Sequence, residues 1–173
     1  MNKRIYFLLL GLALFSLSLK PLPRIFLAED PYSVVSAVNA FRTSQGLPAL
    51  AIDNALMASA QSQSDYQAAI GQITHVGAGG SNATQRAIAF GFGGGAQAFV
   101  SENIAGGTTM TINTAVYQYW QDSLHLQTML NPAAMFIGAG VASASGTVYY
   151  TVDIGYYSSA ANNETTTQAT TAP

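Results

Sequence analysis

Two histidines and one glutamate are the side chains of this sequence best suited to act together in chemistry. The 173-residue chain contains only two histidines, His75 and His125, and Glu102 lies 27 residues after the first and 23 before the second. Glu102 stands in the stretch FVSENIAGG, in which there is no basic residue to pair with it. Two imidazoles and a carboxylate can hold a divalent metal such as Zn²⁺ with one coordination position open, and they can also form an acid/base pair.

Three roles are open for Glu102. As a brace, its carboxylate would accept backbone N–H groups of the glycine-rich turns or a proton-bearing histidine nitrogen. As a metal ligand, it would join His75 and His125 around Zn²⁺ or another divalent metal. As a general base, it would activate metal-bound water for hydrolysis of an ester or amide. Without a metal, the same residues would have to activate Ser101 or Ser123, and neither serine lies in a Gly-x-Ser-x-Gly turn.

The N-terminus indicates export. Lys3 and Arg4 precede an apolar run over residues 5–19, which fits a secretory signal better than a membrane span of roughly 20 residues. An uncleaved N-terminal anchor is the alternative. We predict a signal peptide or anchor over residues 1–28, one domain over 29–158 and a disordered Thr-rich tail over 159–173.

The charge of the exported part excludes two classes of partner. After residue 28 the chain carries two basic residues, Arg42 and Arg86, against eight acidic ones, a formal net charge of −6. Such a surface repels phosphate backbones and anionic lipids, so we expect neither nucleic acid nor a membrane surface as partner. Both arginines are expected at the surface or at helix ends. The chain has no cysteine, so disulfides do not stabilise it.

Caps and apolar periodicity predict four helices. Asp30-Pro31 opens a helix that stops at Gly46, and Asp53 caps a second, alanine-rich helix that should pack closely and end near Ile70. The other two are a short helix from Ala83 to Phe90, and a helix capped by Thr111 that includes Trp120 and breaks between His125 and Pro132.

The last part of the domain predicts a β-hairpin. Residues 135–157 show the alternating side-chain pattern of strands, with β-branched residues on both sides of a Ser-Gly turn. Because the helices precede the strands, the expected class is α+β with a small antiparallel sheet. The two glycine clusters before residue 96 follow no strand and precede no Gly-Lys-Ser/Thr, so they do not predict a phosphate loop.

Five short stretches occur in a characteristic order: VNAFRTSQGLPAL, ITHVG, SENIA, YWQDSLHLQTMLNP and IGAGVASASGTVYYTVDIG. They resemble the motifs of the CAP superfamily (cysteine-rich secretory, antigen 5 and pathogenesis-related 1 proteins; the SCP domain), in its cysteine-free, bacterial-type branch. The resemblance covers residues 32–157 and implies an α-β-α sandwich with a pocket lined by His75, Glu102 and His125. Ser123 stands in the pocket where animal members have a second glutamate. Asp122 precedes it, and on a helix its side chain would point about 100° away.

The resulting hypothesis is an exported CAP/SCP domain with a His/Glu pocket. We expect a non-catalytic extracellular binding module that can hold a divalent metal through His75, His125 and Glu102. Its ligand would be a small molecule, lipid, glycan or protein. The alternative is a metal-dependent protease or esterase with Glu102 as general base.

Overall fold

The computed structural model describes residues 29–158, so the predicted signal segment and Thr-rich tail lie outside the described residues. The described part contains five α-helices, four strands and two short 3-10 turns. In chain order the helices and strands are α1 (Pro31–Ser44), β1 (Ala51–Ile52), α2 (Asn54–Ile70), α3 (Ala83–Ala89), β2 (Ala98–Gly107), α4 (Ile112–Tyr117), α5 (Ser123–Met129), β3 (Phe136–Ala144) and β4 (Thr147–Tyr157).

The four strands form one sheet in the order β1-β3-β4-β2. β1 pairs with β3 in parallel, and the other neighbours are antiparallel. Register places Glu102 of the outer strand β2 opposite Asp153 of β4, and Asn103 opposite Val152. Since side chains alternate along a strand, Glu102 and Asp153 share one face of the sheet, and Asn103 and Val152 share the other.

Helices cover both faces, so the predicted α-β-α sandwich is confirmed. The face of Val152 packs against α1, α4 and α5 in the main core, where Trp120 is fully buried and donates its indole N–H to the carbonyl of Ile104 at 2.9 Å. The face of Asp153 packs against α2 and α3, with a smaller apolar cluster that includes Leu56 and Phe92. The His75–Glu102 contact lies on this second face.

α2 lies unusually close to the sheet, as its alanine-rich stripe predicts. A Cβ atom added to Gly138 of β3 would lie 2.1 Å from the backbone of Leu56, and one added to Gly140 would lie 2.3 Å from the backbone of Ala60. Real Cβ atoms do not approach so closely, so no other residue fits at these two positions without moving the helix. The glycines of β3 therefore set the depth at which α2 sits.

Most predicted elements are confirmed by local capping. The Asp30 side chain accepts the N–H of Tyr32 at the start of α1, and Asp53 accepts the N–H groups of Ala55 and Leu56 at the start of α2. α3 begins with a capping box formed by Asn82 and Gln85, and the predicted hairpin of β3 and β4 is present.

The predicted helix from Thr111 through Trp120 is wrong in its second half. α4 ends at Tyr117, and a second helix, α5, begins at Ser123 and contains the region predicted to break. The reason is Asp122, which is not helical: its extended backbone and its side-chain bonds to the N–H groups of Leu124 and His125 make it the N-cap of α5.

Arg42 lies at a helix end, one of the two placements expected for the arginines, rather than at the surface. Its side chain is fully buried, although it belongs to the last turn of α1. It donates to the carbonyl of Pro48 at 3.1 Å and to those of Met129 and Asn131 at 2.6 and 3.1 Å. Burial lowers the pKa of Arg42. Arg42 therefore joins the loops that follow α1 and α5.

Within residues 29–158, no helix is both long enough and apolar enough to cross a membrane.

Candidate functional site

Glu102 and His75 meet at the outer strand. Glu102 lies in the middle of β2 with a side chain only 3% exposed, whereas the His75 side chain, in the loop after α2, is 58% exposed. His75 Nδ1 lies 2.8 Å from Glu102 Oε1. The preceding residue, Thr74, fixes the loop, because its carbonyl accepts from Gln63 and its N–H donates to Gln67, both on α2. The end of α2 thus positions the histidine over the carboxylate.

Arg86 is the third member of this site, and like Arg42 it lies at a helix end, in the last turn of α3, rather than at the surface. Its side chain is 5% exposed, and Nη2 forms an ion pair with Glu102 Oε2. Nη1 donates to the carbonyl of His75 at 3.3 Å and to that of Ser81 at 3.1 Å. Residues 83 and 87 of α3 are also buried, and this i, i+3, i+4 spacing is the sequence signal that places Arg86 on the inner face of the helix.

Asp153 is a buried carboxyl group beside Glu102 that the sequence arguments missed. It is fully buried on β4, opposite Glu102, and accepts a hydrogen bond of 2.6 Å from Ser59 Oγ on α2. Burial, and secondarily the neighbouring charge of Glu102, raise the pKa of Asp153 well above its usual range. The alternation of TVDIG places residue 153 on one sheet face, but only the strand pairing shows that Glu102 is its neighbour.

A shallow pocket opens to solvent next to this cluster. Its volume is about 360 Å³, near the lower end for small-molecule sites. The lining residues come from the loop after α2, the start of α3 and strand β2: His75, Asn82, Ala83, Thr84, Val100 and Glu102. A ligand here would meet the imidazole of His75 first, since Glu102 is buried behind it.

His125 is not part of this pocket. Its Nδ1 lies 2.5 Å from Asp122 Oδ2, the residue that caps α5. Its carbonyl accepts a hydrogen bond of 3.0 Å from Asn103, whose side chain points to the opposite sheet face from Glu102. The His125 hydrogen bonds lower the pKa of Asp122. The structure therefore brings His75 and Glu102 together, and it holds the His125 ring at Asp122 and the His125 carbonyl at Asn103.

The two candidate serines also lie outside the His75–Glu102 contact. Ser123 borders a separate depression with Leu126, Gln127, Leu130, Asn131 and Pro132. Ser101 is exposed and, by strand alternation, its side chain leaves β2 on the face opposite Glu102. Neither hydroxyl is placed for activation by His75.

The predicted metal ligands do not fit a metal in this arrangement. Between residues 29 and 158, no three His, Cys, Asp or Glu side chains are grouped so that they could hold one. Both carboxylate oxygens of Glu102 already contact nitrogen atoms, of His75 and of Arg86, and the guanidinium carries a permanent positive charge. The zinc site of His75, His125 and Glu102 therefore stays a prediction from the sequence.

Comparison with known proteins identifies a family and a fold. The family model described as CAP, the cysteine-rich secretory protein family, matches residues 35–158. Among solved structures, an outer surface protein from Borrelia burgdorferi is similar, with a TM-score of 0.63 and 20% identity over 72% of this chain and 90% of that one. At this identity the likeness concerns the fold.

Two longer bacterial proteins contain a similar domain. An extracellular protein with an SCP domain from Bacillus anthracis gives a TM-score of 0.58 at 22% identity, over 72% of this chain and 39% of that one. A cysteine-rich secretory protein from Staphylococcus aureus gives a TM-score of 0.50 at 18% identity, over 71% of this chain and 36% of that one. This chain therefore spans well under half of either protein. No curated protein sequence matches it significantly.

Proposed function

Because this chain belongs to the CAP (cysteine-rich secretory protein) family, we propose that it is a non-catalytic extracellular binding module whose pocket beside His75 receives the ligand. One observation carries the proposal. Both oxygens of the buried Glu102 carboxylate are engaged by side chains of the protein, whereas most of the His75 imidazole is exposed to the pocket. A general base needs an oxygen directed at the substrate, and both Glu102 oxygens are directed at nitrogen atoms of the protein instead.

The contact with Glu102 determines what His75 can offer a ligand. A carboxylate accepts hydrogen bonds, so Nδ1 carries the proton of the neutral ring and Nε2 carries the lone pair. Nε2 makes no hydrogen bond within the described residues. The pocket therefore suits a ligand that presents a hydroxyl or an N–H group, as glycans and peptides do, rather than a free carboxylate.

The extracellular assignment rests on two supports. The N-terminal basic and apolar stretch is typical of an exported chain, and the similar structures include an outer surface protein and an extracellular protein. We propose export with cleavage of the N-terminal segment, or retention by that segment as an anchor.

An NMR titration tests the binding function. The probes are neutral monosaccharides, N-acetylated disaccharides and short uncharged peptides, added singly while the His75 ring and the amides of Asn82 and Val100 are observed. We expect at least one probe to shift these signals in the wild type and in His125→Ala but not in His75→Ala. Binding that survives His75→Ala would place the ligand elsewhere on the protein.

The hydrolase alternative has its own test. A panel of peptide and ester substrates is incubated with the wild type and with Glu102→Gln. We expect no turnover by either protein, because the carboxylate is committed to Arg86 and His75. Turnover by the wild type that disappears in Glu102→Gln would replace the binding module with a hydrolase.

A further inference from the structure

The buried carboxylate of Glu102 needs a positive partner. A carboxylate withdrawn from water is stable only when it is paired and hydrogen-bonded. In many His/Glu clusters a divalent metal can supply that charge. Here the charge comes from Arg86, whose side chain is 5% exposed and forms an ion pair with Glu102 Oε2. One guanidinium balances one carboxylate, so an added divalent ion would leave the cluster with excess positive charge.

The surrounding loop is built around this guanidinium. Nη1 is held by the carbonyl oxygens of His75 and Ser81, and the Gly77 N–H donates to the carbonyl of Ser81 at 2.8 Å to close the loop. A Cβ atom on Gly77 would lie 2.9 Å from Nη1 and 2.7 Å from Gln63 Oε1. The loop backbone thus lies so close to the guanidinium that any larger residue at position 77 would crowd it.

The existing contacts of the Glu102 carboxylate also leave few oxygen lone pairs for a metal. Oε1 contacts His75 Nδ1 at 2.8 Å and Oε2 contacts Arg86. The first contact uses the His75 nitrogen that faces Glu102, so a metal could not lie between Nδ1 and Oε1 without breaking that contact. His125, the remaining predicted ligand, is held by Asp122 and Asn103.

We propose that Arg86 is the resident cation of this pocket and replaces a divalent metal as the partner of Glu102. The wild-type pocket then needs no metal to balance the charge of Glu102, and His75 and Glu102 can bind a metal only when the guanidinium is removed. This inference concerns the same pocket as the binding function but does not depend on it, because a metal-free pocket can bind a ligand or fail to bind one.

Zinc titration by calorimetry, with melting temperatures measured in parallel, tests the inference. The protein variants are Arg86→Met, which removes the charge and keeps much of the volume, and Arg86→Lys, which keeps the charge. We expect no stoichiometric zinc binding by the wild type or Arg86→Lys near neutral pH. Arg86→Met should bind zinc at least about tenfold more tightly than the wild type, and zinc should raise its melting temperature. The gain should disappear in Arg86→Met/Glu102→Gln.

Two results would overturn the inference. The first is stoichiometric zinc binding by the wild type that is lost in His75→Ala, which would restore the predicted metal site. The second is a folded Arg86→Met protein that gains no zinc affinity. If Arg86→Met folds only with zinc, the inference is supported. If it does not fold at all, the wild-type titration decides the question, and absence of binding supports the inference. No ligand is used, so these outcomes are independent of the test of the binding function.

Discussion

The two histidine–carboxylate pairs of this protein look alike in chemistry and differ in their surroundings. His75 lies 2.8 Å from Glu102, and His125 lies 2.5 Å from Asp122. The Glu102 side chain is 3% exposed, in the middle of a strand, whereas that of Asp122 is 56% exposed, at the start of a helix. Glu102 also has Arg86 as a buried partner, and Asp122 has the N–H groups of α5.

The difference shows what separates a site from a cap. At Asp122 the histidine contact adds to an N-cap that water could largely replace, because the carboxylate is already solvated. At Glu102 water cannot take the place of the buried Arg86, so the loss of that partner changes the whole cluster. A histidine next to a carboxylate is therefore not by itself evidence of a functional site. The evidence is that the carboxylate is buried and has a third charged group as its partner.

Arg86→Ala should have the largest effect on stability. It leaves the Glu102 carboxylate buried without its positive partner, and removing one member of a buried pair costs about 3–5 kcal/mol. Urea unfolding of the variant and the wild type measures the loss, with Asp122→Asn as the matched control in the exposed pair. A loss below about 1 kcal/mol, typical of exposed pairs, would remove the distinction between the two histidine neighbourhoods.

Asp153→Asn should change how stability depends on pH. The folded protein holds the proton of Asp153 over a range where the unfolded chain, with a pKa near 3.9, has lost it. This group's contribution to stability is therefore complete below about pH 4 and declines as pH rises toward the raised pKa of the folded state. Asparagine does not titrate, so the variant should gain stability relative to the wild type as pH rises.

The measurement for Asp153→Asn is the free energy of unfolding between pH 4 and pH 8, with the exposed Asp65→Asn as control. Parallel curves for wild type and Asp153→Asn would show that Asp153 ionises in the fold as it does in the unfolded chain.

His75→Ala should have a smaller effect, below about 1 kcal/mol, because the ring is more than half exposed and water can replace much of its contact. His125→Ala should cost more than His75→Ala, since the His125 side chain is only 23% exposed. Thermal unfolding of both variants compares the two histidines directly. The reverse order would mean that the Glu102 cluster depends on its histidine more than the Asp122 pair depends on His125.

Asp122→Asn should have the smallest effect near neutral pH, because asparagine caps a helix about as well as aspartate. The hydrogen bonds from His125 lower the pKa of Asp122, so its contribution is present above about pH 4 and is lost as pH falls through the lower folded-state value. The variant should lack this acid-side loss. Circular dichroism during acid titration measures this loss. Identical curves for the wild type and Asp122→Asn would contradict a contribution of Asp122 ionisation to stability.

Local signals explain how much of the fold was predictable. α1, α2 and α3 each begin at a capping side chain directly followed by helical periodicity, and the final hairpin alternates cleanly. β2 was missed because its residues, AFVSENIAGG, are small and glycine-containing, and pairing with β4 rather than intrinsic propensity stabilises it. The break before α5 was missed because Asp122 lies inside an apparently continuous helical pattern.

The site was predictable only in part, for a related reason. His75 and Glu102 stand in recognisable motifs, and the structure brings them into contact. Arg86 and Asp153 belong to no motif, and their roles depend on the packing of α3 against β2 and on the register of β2 with β4. Contacts set by tertiary packing leave little trace in one sequence, and they also decide here whether a carboxylate is free.

The hydrogen bonds on the outer side of β2 have a consequence for aggregation. The free edge of a sheet is a template on which another chain can add a strand. Thr84 of α3 occupies that edge at Val100, where its hydroxyl accepts the N–H and donates to the carbonyl, both at 3.2 Å. Farther along the same edge, the indole N–H of Trp120 donates to the carbonyl of Ile104. The chain thus protects its longest exposed edge with its own side chains, and an incoming strand would have to displace them before it could pair.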